Sequence, residues 1–391
     1  MVGFFMTIKK TPLHSWHMKN AKMVPFAGFD MPVVYNTPSS ISAEHMAVRD
    51  NAGIFDVSHM GRMFVRGKDA LKFLNLIIPR DLSKTPVGKV AYCYFLNENA
   101  GFRDDLTVAH VSEGNYMLTW NAGNLQKIRD WIFDLEGFAK SIKSLDFKIE
   151  DISEKTAMIA FQGPKAPELI EKLFGVYPGS WKFAEAEFQG IKLYIMGSGY
   201  TGEAGSEITI FDTSVENPDR ALTVWNAILE TFESEGVKAC GLGSRDTLRM
   251  EAGMPLYGND MDETITPEEV GLAFPVLAAM DKDFFIGKHA LKDAKENPRL
   301  LRRVGIIATK KGRSPRHGMK VFDEEKEIGW VCSGAFSPLF KKGMGFAYIP
   351  QSYDPKNKTI LKVGDEISRT IEVEITGFPL YNPDEYGSKR K

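Results

Sequence analysis

Asp104 and Asp105 stand in the run Asn97-Glu-Asn-Ala-Gly-Phe-Arg-Asp-Asp-Leu-Thr-Val108, between a turn and an apolar stretch. A strand over Thr107 to His110 would send successive side chains to opposite faces, so only one of the two acids can look into a given pocket. That carboxylate is placed to accept and pass on a proton; its neighbour is solvated or structural. Two acids at a turn are by themselves an ordinary loop feature. Their meaning depends on the rest of the chain.

Gly197-Ser-Gly-Tyr-Thr-Gly202 satisfies the GxGxxG spacing after an apolar Ile191 to Met196. A dinucleotide site needs the last glycine to open a helix facing the pyrophosphate. Here Ser206-Glu-Ile-Thr-Ile210 alternates and is β-branched, so the glycines are expected to bend a hairpin instead. Glu207 on that hairpin would present two acceptor oxygens to a cleft. Gly243-Ser-Arg-Asp-Thr-Leu-Arg-Met-Glu-Ala-Gly253 reads as a helix capped by Ser244 and closed near Gly253, with Arg245 and Arg249 one turn apart. A first-turn Arg at a cleft suits bidentate binding of a carboxylate; on a solvated face it is only a helix charge. His14 and His17 have the spacing of a metal pair, but no third ligand lies near them in sequence. Asp260-Met-Asp262 starts like a calcium loop, yet Ile265 and Gly271 stand where its Gly and Glu belong. The basic run Lys310 to His317 reads as a solvated loop or a contact for an acidic partner. No GxSxG elbow or HExxH pair supports a hydrolase.

The elements that must carry these residues alternate. Helices are expected over Ser42 to Arg49, Asp69 to Leu76 and Leu125 to Glu136. Strands are expected over Ile54 to Val57 and Met63 to Arg66, joined across Ser58 to Gly61, and over Val90 to Leu96, Thr107 to His110 and Tyr116 to Trp120. A buried strand at Ala157 to Phe161 and a capping box at Thr266-Pro-Glu-Glu269 follow. Antiparallel strands mixed with helices indicate an α+β protein. After Lys288, short strands between Gly, Pro and charged turns indicate a separate β-barrel or sandwich. At 391 residues the chain exceeds what one core fills, so two or three domains are expected. Its 49 basic and 51 acidic residues leave a net charge of -2, which argues against nucleic acid or an anionic membrane as partner. Cys93, Cys240 and Cys332 are too few and scattered for a disulfide framework, pointing to a reducing, cytoplasmic interior. Apolar Met1 to Ile8 is too short for a signal core, and Gly271 to Met280, broken by Pro275, is too short for a membrane span.

Read together, these segments resemble the aminomethyltransferase family, the T-protein of the glycine cleavage system, over almost the whole chain. The matching stretches include Val24-Pro-Phe-Ala-Gly-Phe-Asp-Met-Pro32, Phe55-Asp-Val-Ser-His-Met-Gly61, Leu96 to Leu106, Phe161-Gln-Gly-Pro-Lys-Ala166, Gly199-Tyr-Thr-Gly-Glu203, Gly241 to Gly253 and Ser333-Gly-Ala-Phe-Ser-Pro338. The resemblance implies a three-domain cloverleaf around a central folate-binding opening. Its domains would be residues 1–53 with 151–280 (central, α+β), 54–150 (inserted, α+β) and 281–391 (C-terminal β-barrel).

By the same resemblance Asp105 is the essential acid near the 10-nitrogen of tetrahydrofolate. Glu207 would hold the pterin's amino and ring nitrogens, and Arg245 the glutamate tail or the cleft wall. Met60, Tyr92, Asn121, Tyr200 and Tyr381 fall where the family lines the folate pocket. The implied donor is the aminomethyl group on the lipoyl arm of the H-protein, with no metal, flavin or pyridoxal phosphate. The chain also departs from the pattern. Gly197-Ser198 replaces the usual Arg-Thr, Ala204-Gly-Ser-Glu207 the usual Asp-Gly-Phe-Glu, and Phe378-Pro-Leu-Tyr381 the usual Pro-Pro-Phe-Tyr. The first two changes thin the wall beside the pterin and alter its charge. They leave open a folate-dependent demethylase of a small methylated compound. A non-enzymatic folate-binding assembly factor would need a reactive Cys in a Lys-Gly-Cys-Tyr setting, which none of the three cysteines has.

Overall fold

The strand that carries the acid pair runs from Phe102 to Ser112, five residues earlier than the apolar pattern predicts, so both acids lie within it. Phe102, Asp104, Leu106 and Val108 face the packed side, while Arg103, Asp105 and Thr107 are half-buried on the other. The alternation therefore decides which acid is accessible. A register shift against Val90–Leu96 leaves Arg103 as the extra residue of a bulge just before the pair.

The computed structural model describes residues 8–273, 280–295 and 301–390. Met1 to Thr7 and the stretch around Pro275 lie outside them. Among the described residues, no helix is long and apolar enough to cross a membrane. The architecture is α+β with three principal sheets. The acid strand belongs to a five-stranded antiparallel sheet ordered Val90–Leu96, Phe102–Ser112, Asn115–Trp120, Gly61–Arg66, Lys148–Asp151. Helices Ala70–Ile77 and Leu125–Lys143 cover one face, packing Phe73, Leu74, Ile128 and Ile132 on Leu106, Val108 and Leu118.

A six-stranded sheet follows the order Phe183–Phe188, Ile191–Met196, Gly205–Phe211, Thr156–Gln162, Gly53–Asp56, Lys238–Ala239. Only its last pair is parallel. Strand Gly53–Asp56 sits here, and Gly61–Arg66 in the other sheet. The connection expected across Ser58 to Gly61 is thus a crossing between sheets, and Val57 and Phe64 both bury in the core that the two sheets share. The third sheet is a closed six-stranded barrel over Leu301–Thr376, matching the change of pattern seen late in the sequence.

Helix Leu242–Glu251 is the hub of the molecule. Its Leu248 joins the core between the two sheets, and its Met250 joins Tyr94, Phe102, Phe346 and Tyr348 in a core shared by the acid-bearing sheet and the barrel. The helix begins earlier than expected, with Gly241 as its N-cap. Ser244 is not the cap; its Oγ donates instead to Glu44 Oε2 at 2.8 Å. The capping box at Thr266 forms as the sequence predicts.

Candidate active site

Where the sheets and the hub helix meet there is a cavity of about 250 Å³, lined among others by Met60, Tyr92, Asp105, Asn121, Tyr200, Glu207 and Arg245. Seven of the eight residues singled out for a pocket thus surround one space. A second cavity, of about 320 Å³, shares Met60, Asn121, Tyr200 and Arg245 with the first and adds Phe26, His59 and Tyr257.

Asp105 is held by two donors. Tyr92 Oη donates to Oδ2 at 2.9 Å and Asn121 Nδ2 to Oδ1 at 2.6 Å. Burial pushes the Asp105 carboxyl above the ordinary range, and these two bonds pull it only part of the way back. Burial, with the Asp105 charge beside it, also raises the Tyr92 phenol. The result is a carboxylate aimed into a cavity and poised to exchange a proton nearer neutrality than a free Asp would.

Glu207 comes from the strand after the glycine loop, where Ser198 Oγ donates to its Oε2 at 2.6 Å. The loop joins two antiparallel strands, Ile191–Met196 and Gly205–Phe211, so it is the hairpin bend expected and not a phosphate-binding turn. Its glycines serve packing: a Cβ at Gly199 would lie 1.8 Å from Gln162 Oε1, and Gly202 has φ +81° under the Tyr381 hydroxyl. Tyr200 donates to Pro255 O at 2.5 Å and places its ring 4.9 Å from the Arg245 guanidinium. Burial lowers the Arg245 pKa, with the Glu207 charge opposing it, and its buried Nη1 has no hydrogen-bond partner among the described residues. A buried guanidinium with a bare N–H is an anchor for an acceptor on a ligand.

Tyr381 is not part of the cavity wall. Its ring lies 4.8 Å from the Arg49 guanidinium and its hydroxyl lies under Gly202, so it packs behind the loop. Arg249 likewise is not in the wall of the first cavity; it pairs with Asp260 at 2.6 Å and borders only the second, which Arg245 also lines. His14 and His17 bond two different acids, Asp30 and Asp56, each at 2.9 Å. All three cysteines are buried and unpaired.

Sequence reasoning missed Trp181, Ser198, Met254 and Leu272, which also line the cavity. Trp181 sits in a left-handed conformation, φ 55°, with its N–H donating to Gly197 O and its O accepting from Val90 N, so its backbone ties the two sheets together. A single Trp in a Gly-Ser-Trp loop carries no periodic signal by which to find it. Ser198 was visible only as the replacement of a larger residue.

Comparisons with known proteins come to the same place. The GCVT N-terminal domain matches residues 13–280, and the glycine cleavage T-protein C-terminal barrel domain matches 302–382. An aminomethyltransferase of Caldanaerobacter subterraneus subsp. tengcongensis is 42% identical over 95% of this chain and 93% of its own length. One from Thermosipho melanesiensis is 41% identical over 96% and 97%. The crystal structure of glycine cleavage system aminomethyltransferase T from Bartonella henselae superposes with a TM-score of 0.83 at 31% identity, covering 96% of this chain and 98% of that one.

Proposed function

The chain belongs to the aminomethyltransferase (glycine cleavage T-protein) family, and from that premise we propose the reaction and the roles of its residues. The donor is the aminomethyl group on the lipoyl-lysine arm of the H-protein, and the acceptor is tetrahydrofolate. Two C–N bonds form, to the 5- and 10-nitrogens of the folate; one C–N and one C–S bond break. Of the two folate N–H protons displaced, one goes to the departing amine and one to sulfur. The products are 5,10-methylenetetrahydrofolate, ammonia and the reduced lipoyl thiol, with no change of oxidation state.

In this reading Asp105 accepts a hydrogen bond from the attacking 10-nitrogen and passes its proton toward the amine. Glu207, oriented by Ser198, accepts from the pterin amino and ring N–H groups, and the bare Arg245 Nη1 donates to an acceptor on the folate. Met60, Tyr92, Asn121 and Tyr200 shape the walls, and Tyr381 supports the loop from behind. Holding both reactants in one cavity removes most of the entropy of encounter. The observation that carries the reading is the single cavity lined by Asp105, Glu207 and Arg245 together.

A three-unit division at 1–53 with 151–280, 54–150 and 281–391 is proposed on the same footing. The sheets support it, except that strand Gly53–Asp56 pairs with Thr156–Gln162 and moves the first boundary a few residues on. A cytoplasmic setting follows from the three free thiols.

The deciding experiment offers the enzyme tetrahydrofolate with either an aminomethylated lipoyl carrier or small methylated sulfur, nitrogen and oxygen compounds. Release of ammonia with formation of 5,10-methylenetetrahydrofolate is expected from the carrier. Methyltetrahydrofolate from a methylated compound, with nothing from the carrier, would overturn the assignment in favour of a demethylase.

A further inference from the structure

Asp104 has no role in the reaction so far, yet it is fully buried on the packed face of its strand. Its Oδ1 accepts from Asn121 Nδ2 at 2.8 Å and from the Asp105 backbone N–H at 3.0 Å. Its Oδ2 is buried with no hydrogen-bond partner among the described residues. The same Asn121 amide donates to Asp105 Oδ1, so one side chain bridges the two carboxyls.

From this geometry we propose that Asp104 and Asp105 share one proton, held on Asp104 Oδ2 in the working enzyme, and that Asp104 is thereby a positioning residue keeping Asp105 the ionised member. This extends the proposed role of Asp105 and rests on it.

The physical reason is the bare oxygen. Ionising Asp104 would bury a charge on an oxygen without a donor, beside a second carboxylate that competes for the same amide. Ionising Asp105 places charge on two oxygens that each have a donor, at the wall of a cavity. The other groups facing Asp104 relieve it only in part: the Asn124 amide works to lower its carboxyl, and burial outweighs it. They are Asn124, from the turn after Asn115–Trp120, and the Tyr257 phenol, which already accepts from Lys127 Nζ at 2.9 Å. Burial first, and then the Asp105 charge, pushes the Asp104 carboxyl up, and burial raises its neighbour as well. Two acids so close titrate as a pair, and the singly protonated state is the one with an acceptor facing the substrate and no charge in the core.

The test is a titration of the full-length protein with ¹³C-carboxyl aspartate, in wild type, Asp104→Asn and Asp105→Asn, beside kcat/KM profiles for wild type and Asp104→Asn. Asp104 is expected to ionise in the wild type only above neutral pH, and at least about one pH unit lower in Asp105→Asn, where its neighbour's charge is gone. The alkaline limb of the wild-type profile that belongs to the pair should vanish in Asp104→Asn while the acid limb stays. An Asp104 carboxyl already ionised at pH 6 in wild type, or one whose titration ignores Asp105→Asn, overturns the proposal. If the coupled titration appears but Asp105→Asn keeps its turnover, the proton is shared and only the catalytic role of Asp105 fails.

Discussion

Two groups of buried carboxylates lie on either side of the glycine loop, and they are handled in opposite ways. Behind it, Glu203 and Glu251 are both paired with Arg49, at 2.8 and 3.0 Å, and Arg390 and Ser337 take up further oxygens. Burial works to raise the Glu251 carboxyl, but His45, whose Nε2 lies 2.9 Å away, and the Arg49 charge outweigh that and leave it lowered. In front, Asp104 and Asp105 have only amides and a phenol as side-chain donors, no cation figures among the charges that act on them, and both are raised. A buried acid given a cation is fixed as an anion and holds structure together. A buried acid given only neutral donors keeps a proton within reach, which is what proton transfer needs.

The paired group should show the larger effect when broken. Arg49→Met leaves Glu203 and Glu251 buried without their shared cation, and a loss of about 3–5 kcal/mol of unfolding free energy is expected by chemical denaturation. Adding Glu251→Gln to it should restore part of that loss. If Arg49→Met costs less than about 1 kcal/mol, the contrast between the two groups is not energetic.

The unpaired group should show the larger effect on rate. Asp105→Asn removes the proton acceptor while keeping the shape, so turnover is expected to fall by about 100-fold or more, with tetrahydrofolate binding largely kept. Turnover within about tenfold of wild type would remove Asp105 from the chemistry. Stability separates the groups by the sign of its pH dependence. A carboxyl whose folded pKa is raised binds its proton more tightly in the folded chain, so stability falls as pH rises from the ordinary carboxyl range through the raised one. Asp104→Asn should flatten that fall in a set of denaturation curves between about pH 4 and 8, whatever its offset at any one pH. Glu251, with its pKa lowered, contributes the reverse: stability present above the ordinary range and lost as pH drops through the lowered one.

One side of this contrast, the acid pair, was legible in the sequence, and the gaps have physical causes. The strand expected over Thr107 to His110 foretold that the acids part company, although the strand itself starts at Phe102, and the β-branched Ser206 to Ile210 foretold that the glycines bend a hairpin. The late turn-rich pattern foretold a separate barrel or sandwich, and the structure has the barrel. What periodicity cannot carry is long-range pairing. That Arg49 would meet Glu203 and Glu251, more than 150 residues on, depends on how the hub helix packs, and so does the pairing of Arg249 with Asp260. Tyr381 was placed at the pocket by resemblance alone, and its altered Phe378-Pro-Leu context did not reveal that it would stack on Arg49 instead. Ser244 looked like a cap because its type suits one, but a buried Glu44 claims its hydroxyl.

The finest test of the neutral-donor idea is Tyr92→Phe. It deletes the 2.9 Å bond to Asp105 Oδ2 and leaves the ring in place. That bond lowers the Asp105 carboxyl against the pull of burial, so its loss should send the carboxyl further up and move the acid limb of kcat/KM toward alkaline pH. Below the limb the variant should lag wild type. Above it, where Asp105 is ionised in both, the two should come within about tenfold of each other, since only one hydrogen bond to a charged group, worth about 1.5–3 kcal/mol, has been lost and water in the cavity can replace part of it. A limb that stays in place, with the rate lowered equally at every pH, would mean that Tyr92 shapes the wall and does not tune the acid. The tuning of Asp105 by neutral side-chain donors would then rest on Asn121 alone.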